Sequence, residues 1–406
     1  MNLRTCRPFI LAVLATLPGL SLRFIHPEIS PLLEALLTGM AILGASFLLT
    51  WACEVAQLDI PQALAVAVVA FIAVLPEYAV DMYFTWMAGQ HPESDYAHYA
   101  IANMTGANRL LIGVGWSAIV LLFAFKHRKA VQLLEERRTD VLFLMLATIY
   151  ALLIPIKGSL EWYDGLVLFG IYAWYISIIA RRPCEEEEPE GPAAVLAHLP
   201  QKLRRCTTFG FFLFAALIIL ANAELYSESL VASGKMLGVN EFLLVQWLAP
   251  IASEAPEFIV AIMFALRGHA GLALGSLLSS KLNQWTLLVG MIPAVYAASS
   301  GGFASPLPMD QHQMVEVLLT AAQSIFAVMI LLDLRLCTRE ACVLLGLFMA
   351  QFLSPFYEVA LAQLLGLPPD PLRMHLFYSW LYLALAMGWL AFHPRQFVEL
   401  RHGFKV

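Results

Sequence analysis

The sequence has 406 residues, of which 60% are hydrophobic and only 13% are charged, and its formal net charge is −6. This composition excludes an ordinary soluble globular protein and places the chain among integral membrane proteins. The basic residues are spread over short segments rather than gathered in one patch, so nucleic-acid binding is not expected.

Apolar runs near the length of about 20 residues that a bilayer requires follow one another along the chain. They cover residues 8–24, 33–56, 60–88, 98–125, 139–156 and 163–180, and then 208–232, 240–266, 269–297, 313–333, 340–365 and 374–392. We interpret the run 8–24 as an uncleaved helix because no small-x-small cleavage site precedes Arg23; a signal peptide is the alternative. The acidic, proline-containing stretch within residues 181–207 predicts a solvated linker.

The distribution of lysine and arginine predicts how the chain crosses the membrane. With twelve spans, eighteen of the 24 basic residues fall on one side, and the opposite side carries only Arg23, Lys157, Lys235 and Arg373. This excess predicts that both termini and the central linker are cytoplasmic. The five core helices of the first half then begin outside and those of the second half begin inside, so the halves are inverted repeats.

The predicted fold is therefore an all-α integral membrane protein with two inverted five-helix repeats, or ten core transmembrane helices. The repeats cover residues 33–180 and 208–365, joined by the cytoplasmic acidic linker 181–207. Residues 1–32 are expected to add an N-terminal helix and loop, and residues 366–406 an extra C-terminal helix and a cytoplasmic tail. A plasma (cell inner) membrane location is expected, and the sequence does not determine the oligomeric state.

Two carboxylates and a proline interrupt the apolar run 240–266 in the stretch Ser253-Glu254-Ala255-Pro256-Glu257. An ionisable group at that depth costs about 2.5–3.5 kcal/mol on insertion scales, so it is expected to have a partner or a function. Pro256 lacks an N–H group and is expected to disrupt the helix locally, which would free carbonyl oxygens beside the acids. Carbonyl and carboxylate oxygens together predict a site for a hard cation.

The same pattern occurs in the first half, where Leu75-Pro76-Glu77 is followed by Asp81 inside the run 60–88. A proline-interrupted span in corresponding positions of two halves indicates the midplane ion site of a transporter. The alternative for Glu77 and Glu257 is a structural ion pair or a hydrogen-bonded buried acid. Asp81 and Glu254 can share a helix face with those glutamates, or can neutralise a nearby base.

Aligning the halves pairs Glu77 with Glu257 and the segment 102–108 with the segment 275–281. Both segments are rich in small, amide or hydroxyl residues, which allow helices to approach closely. Each is therefore expected to pair with a Pro-Glu helix across a shared cavity. Glu54 aligns with Glu224; both lie near span ends, where an interfacial role is the simpler interpretation.

With these motifs the chain resembles the sodium/calcium exchanger family of cation/calcium antiporters. In that family each repeat carries a Gly-Thr-Ser-Leu-Pro-Glu helix followed by a Gly-Asn-x-x-Gly-Ser-Asn helix. The resemblance covers most of residues 33–180 and 208–365 and implies ten helices that exchange cations by alternating access. It implies that Glu77 and Glu257 chelate calcium, and we expect neighbouring oxygen-bearing residues to complete the ligand set: Asp81, Asn108, Ser253, Glu254 and Ser280.

Two basic residues depart from the family pattern. Lys281 replaces the asparagine of the second repeat, and Arg109 follows Asn108 in the first. We expect these cations to compensate charge in the space that the family gives to sodium, with Glu77, Asp81, Glu254 and Glu257 as candidate partners. Four acids less two bases leave a formal charge of −2, which predicts weak sodium dependence. The alternative is that both side chains point away from the site.

The function expected from these features is antiport of calcium, or a related cation, against sodium or protons. No resident cofactor is expected; the partners are inorganic cations and the lipid bilayer. Alternatives are a transport-dead scaffold or sensor that retains the fold, and a proton-coupled exchanger of another cation. An intramembrane enzyme is not expected, because the sequence has no His-Glu-x-x-His or Gly-x-Ser-x-Gly motif.

Overall fold

The computed structural model describes residues 3–404 apart from residues 26, 60–73, 182–188, 190, 303, 365, 367 and 369. The helices up to the central linker are α1 (Leu3–Ile25), α2 (Pro31–Ala56), α3 (Leu75–Gln90), α4 (Tyr96–Leu110), α5 (Ser117–His127), α6 (Arg138–Ala151), α7 (Ile154–Lys157) and α8 (Trp162–Ile179). A π-helical turn, π1 (Leu111–Trp116), joins α4 to α5 without a break.

The second half follows the short helix α9 (Pro192–Ala197) and repeats the arrangement. Its helices are α10 (Gln201–Leu237), α11 (Glu241–Arg267), α12 (Ala270–Asn283), α13 (Val289–Ser300), α14 (Gln311–Ile330), α15 (Thr338–Phe352), α16 (Ser354–Leu364), α17 (Pro371–Phe392) and α18 (Pro394–Glu399). The turn π2 (Gln284–Leu288) joins α12 to α13. The turns π1 and π2 lie at positions that the repeat alignment pairs, which supports that alignment.

Within the described residues, nine helices are long and apolar enough to cross a membrane, and a tenth span results if α15 and α16 are counted as one bent span. The chain is a multi-pass membrane protein, as expected. The first 14 residues of the expected span 60–88 lie outside the described residues. Helix α10 begins at Gln201, seven residues before the expected span, because the helix extends beyond its apolar segment into the polar linker.

The two Pro-Glu segments differ in structure. In the first half Pro76 stands in the first turn of α3, where a missing N–H breaks no helical hydrogen bond. In the second half α11 continues through Pro250 and Pro256 from Glu241 to Arg267. The expected local disruption at Pro256 was therefore wrong: the proline removes one donor, and the helix remains continuous.

Helices of one repeat pack directly against helices of the other. Helix α3 of the first half contacts α13, the helix that follows the small-residue helix α12 and the turn π2. Helix α4, which carries the small-residue segment of the first half, contacts the Pro-Glu helix α11. Gly106 permits the second contact, because a Cβ atom there would lie 1.8 Å from the carbonyl oxygen of Gln246. The acids on α3 and α11 consequently face a space between the halves.

Two short antiparallel ribbons in the described residues also connect the repeats. Strand β1 (Val131–Gln132) pairs with β4 (Arg335–Leu336), and β2 (Ser159–Leu160) pairs with β3 (Leu307–Pro308). Each half contributes one strand to each ribbon. The sequence analysis did not predict these strands, which are only two residues long and leave no periodic pattern.

The additional helices pack on the outside of this core. Helix α1 lies against α2, and α17 lies along α14 of the second repeat. The chain after α18 forms a short turn, Leu400–Phe404, that contacts α6. Helix α17 therefore brings residues from beyond the repeats next to a core helix.

Candidate functional site

Four carboxylates meet at the interface between the repeats. Glu77 occupies the first turn of α3, where the helix dipole favours an anion, and Asp81 follows one turn later. Glu254 and Glu257 lie three residues apart on α11. The exposed fractions of Glu77, Asp81 and Glu254 are 2%, 0% and 3%, and Glu257 is half-buried.

The amide of Gln284 connects the two halves of this cluster. Its Nε2 atom donates to Glu77 Oε2 at 2.9 Å and to Glu254 Oε1 at 2.5 Å. Gln284 therefore holds one carboxylate from each Pro-Glu helix. Repeat symmetry paired Glu77 with Glu257, but the glutamate that shares this amide with Glu77 is Glu254.

The local backbone explains how Gln284 reaches both acids. Gln284 is the first residue of the turn π2, which follows α12 directly. A π-turn inserts an extra residue into a helical turn and so changes the direction of the side chains around it; such turns are frequent at functional sites. The small residues preceding it allow α12 to lie close to its neighbours, so a short amide side chain can span the gap.

Two further amides position the same helices. Asn103 on α4 donates from Nδ2 to Asp81 Oδ1 at 3.1 Å. Tyr78 on α3 donates its hydroxyl to Asn283 Oδ1 at 2.9 Å. These bonds join α3 to a helix of its own repeat and to a helix of the opposite repeat.

Several oxygens of the cluster remain without a hydrogen-bond partner among the described residues. They are Glu77 Oε1, Asp81 Oδ2, Glu254 Oε2, Glu257 Oε2, Asn103 Oδ1 and Gln284 Oε1. A buried oxygen with no partner costs about 1–3 kcal/mol, more if it is charged, so a concentration of them indicates a place where a cation or protons bind. We refer to Glu77, Asp81, Glu254 and Glu257 together as the acid cluster.

Lys281 lies beside the acid cluster but is held by another partner. Its Nζ donates to the backbone oxygen of Asn108 at 2.9 Å and to Asn108 Oδ1 at 2.7 Å, and it lies 5.0 Å from the centre of the Trp285 ring. Asn108 Nδ2 donates in turn to the carbonyl of Met104. Asn108, expected as an ion ligand, thus has both ends of its amide engaged.

Arg109 has a partner that the sequence analysis did not consider. Its guanidinium forms a buried ion pair with Glu316 on α14, and Glu316 Oε2 also accepts from Gln246 Nε2 at 2.8 Å. The guanidinium lies 5.1 Å from the centre of the Trp247 ring. We expected Arg109 to pair with the four acids of the cluster. It pairs instead with Glu316, near the beginning of α14.

The remaining expected residues lie at the edges of the site. Ser253 Oγ donates to the carbonyl oxygens of Ala249 and Pro250 on its own helix. Ser280 neighbours Glu257, and its Oγ is buried. Glu224 forms an exposed ion pair with Arg23 at 2.7 Å, away from the cluster, which agrees with an interfacial role.

Sequence reasoning missed Gln284, Asn103 as a partner of Asp81, and Glu316. A polar residue inside an apolar span indicates a candidate functional residue, and Gln284 and Glu316 are both in such positions. Glu316 lies near the beginning of its span, where an acid is easily attributed to the membrane surface. Gln284 carries no charge, so it does not stand out within its apolar span as an acid does.

Comparison with known proteins identifies the family and the fold of the chain. The family model described as "Sodium/calcium exchanger protein" matches residues 29–181 and 207–356. Among solved structures, the chain is similar to the crystal structure of the H⁺/Ca²⁺ exchanger CAX, with 41% sequence identity and a TM-score of 0.91 over 99% of this chain and 98% of that chain. A search of curated proteins found no match.

Two other solved structures share the fold at low sequence identity. YfkE is 16% identical with a TM-score of 0.59, over 84% of this chain and 97% of that chain. A structure of the sodium-calcium exchanger NCX_Mj is 17% identical with a TM-score of 0.52, over 79% and 97%. At these identities the likeness supports the architecture alone.

Proposed function

The chain belongs to the sodium/calcium exchanger protein family and is a cation/calcium antiporter, and on this premise we propose that it exchanges Ca²⁺ for protons at the acid cluster. Alternating access of this cluster to the two sides of the membrane would carry the ions across. The proposal extends the family assignment in two respects: the residues that bind the ion and the identity of the counter-ion.

The observation that carries the proposal is the bridge from Gln284 to Glu77 and Glu254. It holds two carboxylates from opposite repeats and leaves a second oxygen on each without a hydrogen-bond partner in the described part of the chain. Asp81 and Glu257 add one such oxygen each. Ca²⁺ takes six to eight oxygen ligands, often with water among them, so this set suits a partly hydrated calcium ion.

The charge near the cluster supports protons as the counter-ion. Because Glu316 already compensates Arg109, Lys281 is the one base left to oppose the four acids among the two considered from sequence, which gives a formal charge of −3 rather than the expected −2. Replacing one Ca²⁺ by two protons on carboxylates keeps that charge constant. The structural relative at 41% identity was solved as an H⁺/Ca²⁺ exchanger, which favours the same counter-ion.

Lys281 is proposed to act as a tethered cation on the border of the site. Its ammonium group, fixed on Asn108, occupies the position where the family pattern has an amide. A fixed positive charge there would repel a sodium ion and reduce sodium dependence. Asn108 is then a support for Lys281 rather than a ligand of calcium.

The chain is further proposed to lie in the plasma (cell inner) membrane with both termini in the cytoplasm. The excess of basic residues at one set of loops supports this orientation.

Flux measurements in proteoliposomes test the proposal. Full-length protein is reconstituted, and ⁴⁵Ca²⁺ uptake is followed with a pH gradient, a sodium gradient or a potassium gradient imposed one at a time. Uptake driven by the pH gradient and abolished in Glu77→Gln is expected, while Glu224→Gln, a matched change outside the cluster, retains it. Uptake driven by sodium alone would overturn proton coupling, and no flux under any gradient would favour the transport-dead scaffold.

A further inference from the structure

A second group of potential metal ligands lies away from the acid cluster. His312 and Glu316 stand one turn apart on α14, and His375 projects from α17, the helix beyond the repeats. One ligand atom of each, within the described residues, lies within 4.8 Å of the others. His375 Nδ1 is 2.7 Å from Glu316 Oε1, and His312 Nε2 is 4.0 Å from the same oxygen.

The two closest atoms of this group form a buried ion-pair contact whose geometry is poor for a hydrogen bond. His375 Nδ1 and Glu316 Oε1 are both buried, and neither has a hydrogen-bond partner of acceptable geometry among the described residues. The other oxygen of Glu316 is already used by Arg109 and Gln246. A carboxylate held on one oxygen, with its other oxygen facing two histidine nitrogens, is well oriented to bind a metal ion that those nitrogens share.

Packing and burial restrict the side chains of the group. The ring of Phe242 packs edge-on against His312 with centroids 4.7 Å apart. The side chain of His375 is 12% exposed and that of Glu316 is fully buried, whereas that of His312 is 30% exposed. The ligands are therefore positioned before an ion arrives, and His312 remains accessible.

A cavity of about 740 Å³ gives access to the group. His312 and His375 line it together with the acidic residues Asp95, Glu241, Glu358 and Asp370. Four carboxylates around one opening raise the local concentration of cations. A water molecule from this cavity can complete the coordination that three protein ligands leave open.

From these contacts we propose that His312, Glu316 and His375 form a binding site for a first-row divalent metal ion of the Zn²⁺ class. Imidazole nitrogen suits Zn²⁺ and its neighbours, whereas Ca²⁺ prefers oxygen ligands. Tetrahedral Zn²⁺ with bonds of 2.0–2.1 Å separates its ligand atoms by about 3.3 Å. The distances of 2.7 and 4.0 Å bracket this value, so small side-chain rotations suffice.

The site lies where helices of both repeats meet the helix beyond them. Glu316 contacts Arg109 on α4 and Gln246 on α11, and the metal would connect it to α17. A bound ion would thus fix the extra C-terminal helix to both repeats. It is separate from the acid cluster in its residues and in its ligand chemistry.

Zinc titration of full-length, metal-stripped protein in detergent tests the site. Calorimetry is expected to show one tightly bound Zn²⁺ per chain that a large excess of Ca²⁺ does not displace. His312→Ala and His375→Ala should each weaken binding at least tenfold. His98→Ala is the matched control, because His98 lines the same cavity but lies beside Asp310, 3.7 Å away, outside the group.

Two additional measurements keep the test decisive. Co²⁺ in place of Zn²⁺ should give visible absorption bands of a nitrogen-ligated ion in wild type and His98→Ala, and these should be lost in the two histidine variants. Glu77→Gln should retain Zn²⁺ binding, whether or not it transports calcium. Equal Zn²⁺ affinity in wild type and the three histidine variants would overturn the proposal. So would the absence of bound Zn²⁺ in wild type, or a loss of Zn²⁺ binding in Glu77→Gln but not in the histidine variants.

Discussion

Arg109 and Glu316 form a buried ion pair that joins helix α4 of the first repeat to helix α14 of the second. The exposed fractions of the two side chains are 2% and 0%. Gln246 from α11 donates to the same carboxylate, so three helices meet at this pair. The pair removes Arg109 from the charge balance of the ion site and leaves Lys281 as the cation beside the acid cluster.

Breaking this pair should destabilise the protein strongly. Arg109→Met leaves Glu316 buried without its guanidinium, and removal of one member of a buried pair costs about 3–5 kcal/mol. Thermal unfolding of the detergent-solubilised protein should show a large fall in the unfolding temperature. Arg23→Met, which removes the exposed pair with Glu224, should cost at most about 1 kcal/mol. A similar fall in unfolding temperature in both variants would show that the buried pair stabilises the protein no more than the exposed pair does.

Neutralising the acid cluster should abolish transport without unfolding the protein. Glu77→Gln, Glu254→Gln and Glu257→Gln keep the side-chain shape and remove one charge from the ion. At an effective dielectric near 20 that charge contributes about 4 kcal/mol at contact distance, or about a thousandfold in occupancy. Calcium flux in proteoliposomes measures the loss, with Glu224→Gln as the control. Flux near the wild-type rate in the three variants would make these acids structural.

Replacing Lys281 should change the ion dependence. Lys281→Asn removes the charge fixed on Asn108 and restores the amide of the family pattern, so sodium should begin to stimulate calcium flux. The measurement is initial calcium uptake against sodium concentration at constant pH. Because Arg109 is held by Glu316, it is not expected to replace the lost cation. Steep sodium dependence in wild type, unchanged in the variant, would contradict this role.

Asp59, in the turn after α2, should make stability depend on pH. Hydrogen bonds from Arg204 and Arg205 lower the pKa of Asp59 from 3.8 to about 2. A carboxyl with a lowered pKa stabilises the folded state above its unfolded pKa, and this contribution is lost as the pH falls from about 4 towards 2.

Comparison with Asp59→Asn isolates this contribution. The variant should be less stable than wild type at pH 7, and the gap in unfolding temperature should close below about pH 4. Glu135→Gln serves as the control, because that carboxylate is 79% exposed in its pair with Arg138. A gap that stays constant down to pH 2 would exclude the ionised Asp59 as its cause.

Cysteine labelling checks the proposed orientation. Glu93→Cys and Ser300→Cys should react with a membrane-impermeant reagent in intact cells, and Arg181→Cys should react only after permeabilisation. Ala193, in the linker, is fully buried and therefore unsuitable as a reporter. The exposed native residues Cys206 and Cys342 would need to be replaced first. External labelling at position 181 would reverse the orientation.

The architecture could be predicted because each membrane span is recognisable from its own stretch of sequence. A run of about 20 apolar residues is sufficient to place a helix, and Glu77, Glu254 and Glu257 stand out because charge is rare in such runs. The aligned positions of π1 and π2 support the repeat alignment made from small residues. Most of the span boundaries could be predicted from hydrophobicity and composition alone.

The partners within the site could not be predicted in the same way. Gln284 meets Glu77 across 207 residues of sequence, and Arg109 meets Glu316 across the same separation. Such pairs depend on how the repeats rotate against each other, which hydropathy does not encode. The repeat alignment made Glu77 and Glu257 equivalent, but the amide of Gln284, whose aligned position in the first repeat is Leu111, joins Glu77 to Glu254.

The contact between Lys281 and Asn108 has an evolutionary consequence. The repeat alignment pairs these two residues with each other, so symmetry-related positions touch where the halves meet. If both halves were identical, as after a gene duplication, two lysines would repel each other there, and two asparagines would supply no positive charge. A cation at this place therefore requires two halves that have diverged, and fusion into one chain ensures that every molecule contains one of each.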